Sequence, residues 1–451
     1  MKSIQKSVRH YYWFITSFTK KNFRSIIVSF VGAFFAIVFI INFFPLFNSL
    51  LFANKKVIGI VGQYSLQNPP AEVANLISSP LMTSDKNGEL QPVLANSWEV
   101  LNEGKTYRFH LKTDLFWYDG KRFRAQDIQY NFQDVKIKVV DDFTLDFNLK
   151  QPLTIFPIYL AKPVIKAPLV GVGALYKVQS YAARKNIIQS INLSPNKSKD
   201  PYLIYRFYKT EDELVTAYKK GEITSFLTPN RTIAEVFSSW KNTKIDRNID
   251  YGQIVSLFYN TKKDILQERD VRKGIALTVP VMTDYGVLAK GPIPPTSWGY
   301  NDGIKEVQHS PDKAKTLIEK NISASDSAKL TLYTFYDYIG QAESIKDSLN
   351  EVGLSINLKI ISAVPEDFDM LLTGWNPPAD PDQYFFWHST QEATNITKFN
   401  NAKADKLLED GRRIVNAKQR KKIYDDFQKT ITDEQPAVFL YYPYIYNITR
   451  K

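Results

Sequence analysis

The chain has 451 residues, of which 44% are hydrophobic, 23% charged and 14% aromatic, with a formal net charge of +12 and no cysteine. That length exceeds one ordinary core and predicts two or three domains. The lack of cysteine excludes disulfides, thiolate metal sites, cysteine nucleophiles and a lipidated cysteine tether.

The basic excess belongs to one end. Lys2, Lys6, Arg9, Lys20, Lys21, Arg24, Lys55 and Lys56 supply +8 before the first acid, Glu72, which leaves +4 of the +12 for residues 57–451. A body so weakly basic argues against a nucleic-acid partner. Residues 25–54 carry no charge. A bilayer needs roughly 20 apolar residues as helix, and basic residues flanking one side place that side in the cytoplasm. The expectation is a cytoplasmic leader over 1–24, a single-pass anchor over 25–53 and an extracytoplasmic body. A cleaved signal peptide has a shorter apolar core, about 7–15 residues, and small residues before the cut; Leu51 and Ala53 fit that poorly. "HYYWFITSFTKK" in the leader reads equally as an amphipathic flank on the inner membrane surface or as a disordered tail.

Beyond the anchor, "VIGIVGQYSL" (57–66) is a candidate strand closed by Asn68, Pro69 and Pro70. "SWEVLNEGKTYRFHLK" (97–112) predicts a hairpin, with Trp98 and Val100 on one arm, Tyr107, Phe109 and Leu111 on the other and Gly104 in the turn. "AQDIQYNF" (125–132) suggests a short helix, linked by "QDVKIKVV" to a strand with Phe143, Leu145, Phe147 and Leu149 at period two. Residues 80–150 are therefore β-rich. Thr210 and Glu213 form a capping box for a helix that Gly221 ends. Ser310 and Pro311 open another. Over 330–375 the order is strand, helix with Ile339, Ala342, Ile345, Leu349 and Val352 on one face, strand, and a fourth element "FDMLLTGW". This predicts a parallel pair with a right-handed crossover. Two helical stretches (403–415 and 417–432) and the apolar strand "AVFLYYPYIYNI" follow.

The stretch "DMLLTGWNPPADPDQYFFWHS" (369–389) stands out. A short apolar strand runs into Gly374 and Trp375, and then Pro377, Pro378 and Pro381 forbid regular structure. Loops at strand ends are where open α/β sheets bind ligands, although Trp375 could equally pack on its own domain. Catalytic signatures are missing. His10, His110, His309 and His388 are not spaced as a metal pair, no phosphate loop or nucleophile elbow occurs, and "GVG" at 171–173 is too short for a phosphate cradle. No metal, cofactor or enzymatic activity is expected.

Taken together, "LMTSDKNGELQPVLANSWEVLNEGKTYRFHLKTDLFWYDGKRFRAQDIQYNF", "GVGALYKV", "LFYNTKKDILQERDVRKGIAL", "GPIPPTSWGY" and "DMLLTGW…DPD" resemble, in order, the solute-binding proteins of the oligopeptide/dipeptide/nickel class of ABC importers (bacterial extracellular solute-binding protein family 5). The resemblance runs through most of 57–446. It implies an α/β, two-lobed periplasmic-binding-protein-like fold of type II in its three-subdomain form, here with an N-terminal transmembrane helix. Lobe 1 would span 54–260 with a β-rich subdomain at about 80–158, lobe 2 would span 261–435, and 436–451 would return to lobe 1. The implied ligand site comprises Gly374, Trp375, Asn376, Asp380 and Asp382 with Tyr64 and Leu66, and the implied partners are a peptide or other small extended solute and the importer's permease and ATPase subunits.

This chain departs from the pattern in several places. Peptide-binding members often carry an aspartate a few residues after the tryptophan for the ligand's amino terminus; Asn376, Pro377, Pro378 and Ala379 stand there instead. Arg124 replaces the usual hydroxyl cap before Ala125, the subdomain is trimmed, and relatives continue where this sequence stops at Lys451. Other functions stay open: a ligand sensor or interaction protein that kept the fold without transport, or a surface hydrolase, which would need two cleft carboxylates about 5–10 Å apart.

Overall fold

The computed structural model describes residues 12–14, 16–24, 27–30, 32–34, 55–132, 134–197, 199–321 and 329–451. Most of the expected anchor lies outside the described residues. Those described between 12 and 34 are helical and mostly exposed. No helix among the described residues is long and apolar enough to cross a membrane.

The first sheet begins with β1 (Lys55–Val61), shorter than its apolar run suggested. Gly62 turns away at φ +137°, so Tyr64 and Leu66 stand in the loop after β1 instead of in a strand. β1 lies parallel between β10 (Tyr202–Tyr208) and β11 (Ser225–Thr228). β10 pairs antiparallel with β9 (Ile187–Pro195), and β9 with β8 (Tyr176–Arg184). The β8–β9 turn places Lys185 and Asn186 at φ +49° and +66°. Two consecutive positive φ values suit the right-handed strand twist, but the usual signal for them is Asn-Gly or Asp-Gly, and the hairpin was invisible for that reason. The following helix, Glu211–Lys220, is bounded as expected. The Thr210 side chain accepts from the Glu213 N–H, the Glu213 carboxylate accepts from the Lys209 N–H, and Gly221 closes the helix at φ +80°.

The β-rich region is a four-stranded antiparallel sheet with β4 (Ala95–Leu101), β5 (Thr106–Leu111), β7 (Thr144–Leu149) and β6 (Val135–Asp141) in that spatial order. Trp98 faces Phe109 and Val100 faces Tyr107 in the hairpin. The helix expected over 125–132 is a single 3-10 turn, Ala125–Asp127. The Asp127 carboxylate accepts from the Arg124 N–H at 3.1 Å and from the Trp117 indole at 2.9 Å. Ile128 is extended, and Tyr130 and Phe132 stack at 5.5 Å against the sheet's core. The apparent linker "VKIKVVD" is itself β6, whose alternating Lys and aliphatic residues fit a half-buried strand.

The second sheet contains the expected α/β unit. β15 (Lys329–Thr334) pairs parallel with β16 (Ser355–Ile360) across the helix Ile339–Glu351, and with β17 (Met370–Trp375) on its other side. β17 pairs antiparallel with β13 (Ile254–Tyr259). Every residue of β13 is buried, as a central strand covered on both faces requires. Val255, Leu257 and Tyr259 enter one core and Ile254 and Phe258 the other.

β18 (Ala437–Arg450) belongs to both sheets. Its first half pairs with β13 and β14 (Gly286–Leu288), and its second half with β11 and β12 (Thr243–Ile249). The β12–β13 connection runs beside it, with the Asp250 N–H donating to the Pro443 carbonyl at 2.9 Å. These adjacent segments carry the chain between the two sheets.

Candidate functional site

β17 delivers Gly374 and Trp375 to the end of the second sheet. Met370–Leu372 have partners on both sides, but Thr373–Trp375 are paired with β13 alone, because β15 stops opposite Leu372. A short backbone edge is left without a strand. Gly374 lets two side-chain ends sit close over the strand: a Cβ would stand 2.6 Å from the Tyr338 hydroxyl and 2.9 Å from the Gln253 side chain, and both ends would have to shift. That hydroxyl shares a hydrogen bond with the Gly374 backbone, and burial pushes its pKa upward.

The half-buried Trp375 ring is held by its own lobe. Its indole N–H donates to Ser256 Oγ at 3.1 Å, and the ring meets Phe386, Trp387 and Phe258 at 5.1, 6.1 and 6.2 Å. Tilted and edge contacts of this kind fix orientation as well as bury area. Asn376 is exposed beyond it.

The two aspartates are committed to arginines. Asp380 accepts both ends of the Arg420 fork at 2.6 and 3.0 Å, with side-chain exposures of 9% and 1%. Asp382 accepts from Arg412 Nε at 2.9 Å and from the Tyr159 hydroxyl at 2.9 Å. Attraction to Asp380 holds the Arg420 guanidinium protonated despite burial, which alone would lower its pKa. Sequence reading missed both arginines, although Arg420 carried a signal. It shares the helix Ala417–Glu434 with Tyr424, Phe427 and Ile431 at helical spacing, and a charge on an apolar stripe requires a buried partner. Tyr338, Gln253 and Ser256 had no comparable signature.

Tyr64 and Leu66 pack at the rim of the first-lobe core, with Tyr64 tilted on Phe207 at 5.4 Å. They belong to a different cluster from Trp375. His388 is 4% exposed, stacked on Tyr384 at 4.2 Å and 3.4 Å from Glu409. Among the described residues no group of three or more His, Cys, Asp or Glu side chains gathers to hold a metal. The "GVG" segment is a packing device. A Cβ on Gly171 would lie 1.7 Å from the Ile77 carbonyl oxygen.

Residues 89–397 match the profile of the bacterial extracellular solute-binding proteins, family 5. Over 86% of both chains the sequence is 25% identical to the oligopeptide-binding protein AppA of Bacillus subtilis. It is 24% identical to the dipeptide-binding protein of Escherichia coli, over 80% of this chain and 83% of that one. The fold matches a nickel ABC transporter protein from Bacillus halodurans at TM-score 0.72 and 17% identity, covering 88% of this chain and 95% of the other. It also matches AppA of Bacillus subtilis bound to a nonapeptide at TM-score 0.65 and 21% identity, covering 88% and 94%.

Proposed function

The chain belongs to the bacterial extracellular solute-binding proteins, family 5, and from that premise we propose that it is a membrane-anchored receptor for an extended peptide. It captures the peptide between its lobes and delivers it to the permease and ATPase subunits of an ABC importer. Its output is binding and lobe closure, without a chemical step. The uncharged 25–54 run behind six basic residues supports the anchor, with the amino terminus cytoplasmic.

The observation that carries the ligand reading is the one-sided edge of β17 at Gly374. An extended peptide can add main-chain hydrogen bonds there, as in strand addition, taking the place of the Tyr338 hydroxyl. Trp375 supplies the apolar wall, Asn376 a polar contact, and Tyr64 and Leu66 the first-lobe side. Asp380 and Asp382 serve by fixing the loop through Arg420 and Arg412. With both acids neutralised and Asn376–Ala379 uncharged, this loop offers no counter-ion for a ligand ammonium, and burying an unpaired charge is expensive. The favoured ligands therefore present a blocked or internal backbone to Trp375.

Titration calorimetry with a peptide pool and its N-acetylated copy tests this. Both pools should bind, and Trp375→Ala should weaken both by about 2 kcal/mol or more. Normal binding by Trp375→Ala, or loss of binding on acetylation, would overturn the reading.

A further inference from the structure

The Asp-Pro-Asp turn is touched by the first lobe at Asp382. Tyr159 lies in the 3-10 segment Phe156–Leu160 of the β-rich subdomain, 223 residues from Asp382 in sequence. Its hydroxyl donates to Asp382 Oδ2 at 2.9 Å and accepts from Arg412 Nη2 at 3.1 Å. Arg412 completes the triangle through Asp382 and lies 3.9 Å from the Tyr384 ring centroid. Its side chain is 15% exposed and that of Asp382 6%. Burial raises the Tyr159 pKa, so the phenol keeps the proton it donates. Separately, the Gly88 turn, φ +82°, approaches Trp298, where a Cβ would fall 2.5 Å from the ring. The same ring faces the Arg420 guanidinium at 5.0 Å. The Asp382–Arg412 pair is thus met directly by a first-lobe group, and the Asp380–Arg420 pair only through Trp298.

We propose that Tyr159 is the first-lobe half of a catch whose second-lobe half is the Asp382–Arg412 pair, and that this catch sets how long the lobes stay closed. Parting the lobes withdraws a hydroxyl that both donates to the carboxylate and accepts from the guanidinium. Hydrogen bonds to charged groups are the costlier ones to lose. The catch also lies on the loop that begins at Trp375. Pro377, Pro378 and Pro381 restrict that loop, so a ligand pressing on Trp375 acts on the segment that ends in Asp382. The proposal rests on the two-lobed receptor reading but not on the ligand's identity.

The natural chain has no cysteine, so two introduced ones report lobe separation without interference. Val140→Cys in the subdomain and Val415→Cys in the second lobe are exposed sites, at 44% and 54%. Spin labels on this pair in the full chain, in micelles and without ligand, give the interlobe distance distribution. Tyr159→Phe should shift it toward longer distances. It should also raise the dissociation rate of a random hexapeptide pool about tenfold. Arg412→Lys, which keeps the charge but loses the fork, should act in the same direction. Tyr130→Phe removes a hydroxyl bonded to first-lobe backbone, the Leu160 and Lys162 carbonyls and Leu81, and should leave the distances unchanged. An unchanged distribution in folded Tyr159→Phe and Arg412→Lys overturns the catch, as does an equal shift in Tyr130→Phe. If hexapeptides fail to bind the wild type, the ligand reading falls while the distance measurement still decides the catch.

Discussion

Replacing Asp380 with Asn removes one charge from a bidentate pair and strands a guanidinium that is 1% exposed. Breaking a buried pair on one side costs about 3–5 kcal/mol, because the surviving charge stays desolvated. Arg420 would keep three contacts: the Gly411 carbonyl at 3.0 Å, the Tyr424 hydroxyl at 3.3 Å and the Trp298 face at 5.0 Å. These place the cost at the lower end, about 3 kcal/mol. Arg420→Met alone should cost a similar amount, although the Asp380 carboxylate also accepts from the Asp382 N–H at 3.0 Å. The double variant carries no stranded charge and should lie within about 1 kcal/mol of the wild type, since a buried pair is worth little against apolar groups of like volume. Hydrogen exchange read by mass spectrometry on peptides covering 370–387 reports the local opening free energy. A loss of 3 kcal/mol appears as roughly a hundredfold drop in protection. Unchanged protection in Asp380→Asn, or a double variant as unstable as the sum of the singles, would refute the argument that the pair is retained to neutralise itself.

Two other outcomes follow from charge. The Arg108 fork at 2.8 and 2.9 Å holds the Asp146 carboxyl below its ordinary range. A carboxyl whose native pKa lies below the unfolded value of about 3.9 contributes stability above that pH and loses it as pH falls through the native value. The urea midpoint of the wild type should exceed that of Asp146→Asn at neutral pH, and the gap should shrink on acidification below pH ~4; a gap that widens contradicts the assignment. At the amino end, intact-mass measurement of membrane-extracted protein should retain residues 1–54, and a soluble mature form beginning near Asn54 would remove the anchor.

The sequence was legible where one physical pattern decided the local structure. The capping box at Thr210, the helix opened by Pro311, the β15–helix–β16 crossover and the alternation of β7 were all readable, because each satisfies its backbone or core within a few residues. Reading failed where distant groups decided. The segment after Ala125 has helix-compatible residues, yet Asp127 spends its carboxylate on Arg124 and Trp117, and the chain continues extended. β6 hid behind its lysines. At the candidate site, the prolines after Gly374 and Trp375 drew attention to the end of β17. That Asp380 and Asp382 are already matched by Arg420 and Arg412, and that a tyrosine from the other lobe joins them, depends on contacts across 30 to 253 residues, which no local spacing records.

The double membership of β18 bears on how the chain can be made. Phe226 pairs with Ile448 and Leu257 with Val438, so an inner position in each sheet is reserved for a strand synthesised after all the others it joins. Until Ala437–Arg450 emerge, both sheets hold an open slot, with β11 and β13 paired on one side only and β12 and β14 without a partner. The four-stranded sheet can form before β18 emerges, but neither of the sheets that β18 joins can be completed until it does, so the loop-closure entropy of their longest-range pairings is met late and nearly together. A ribosome stalled within β18 leaves two unfinished sheets displayed at once, each offering edges to aggregation. The segment that lets the lobes move as one molecule also makes them mature as one.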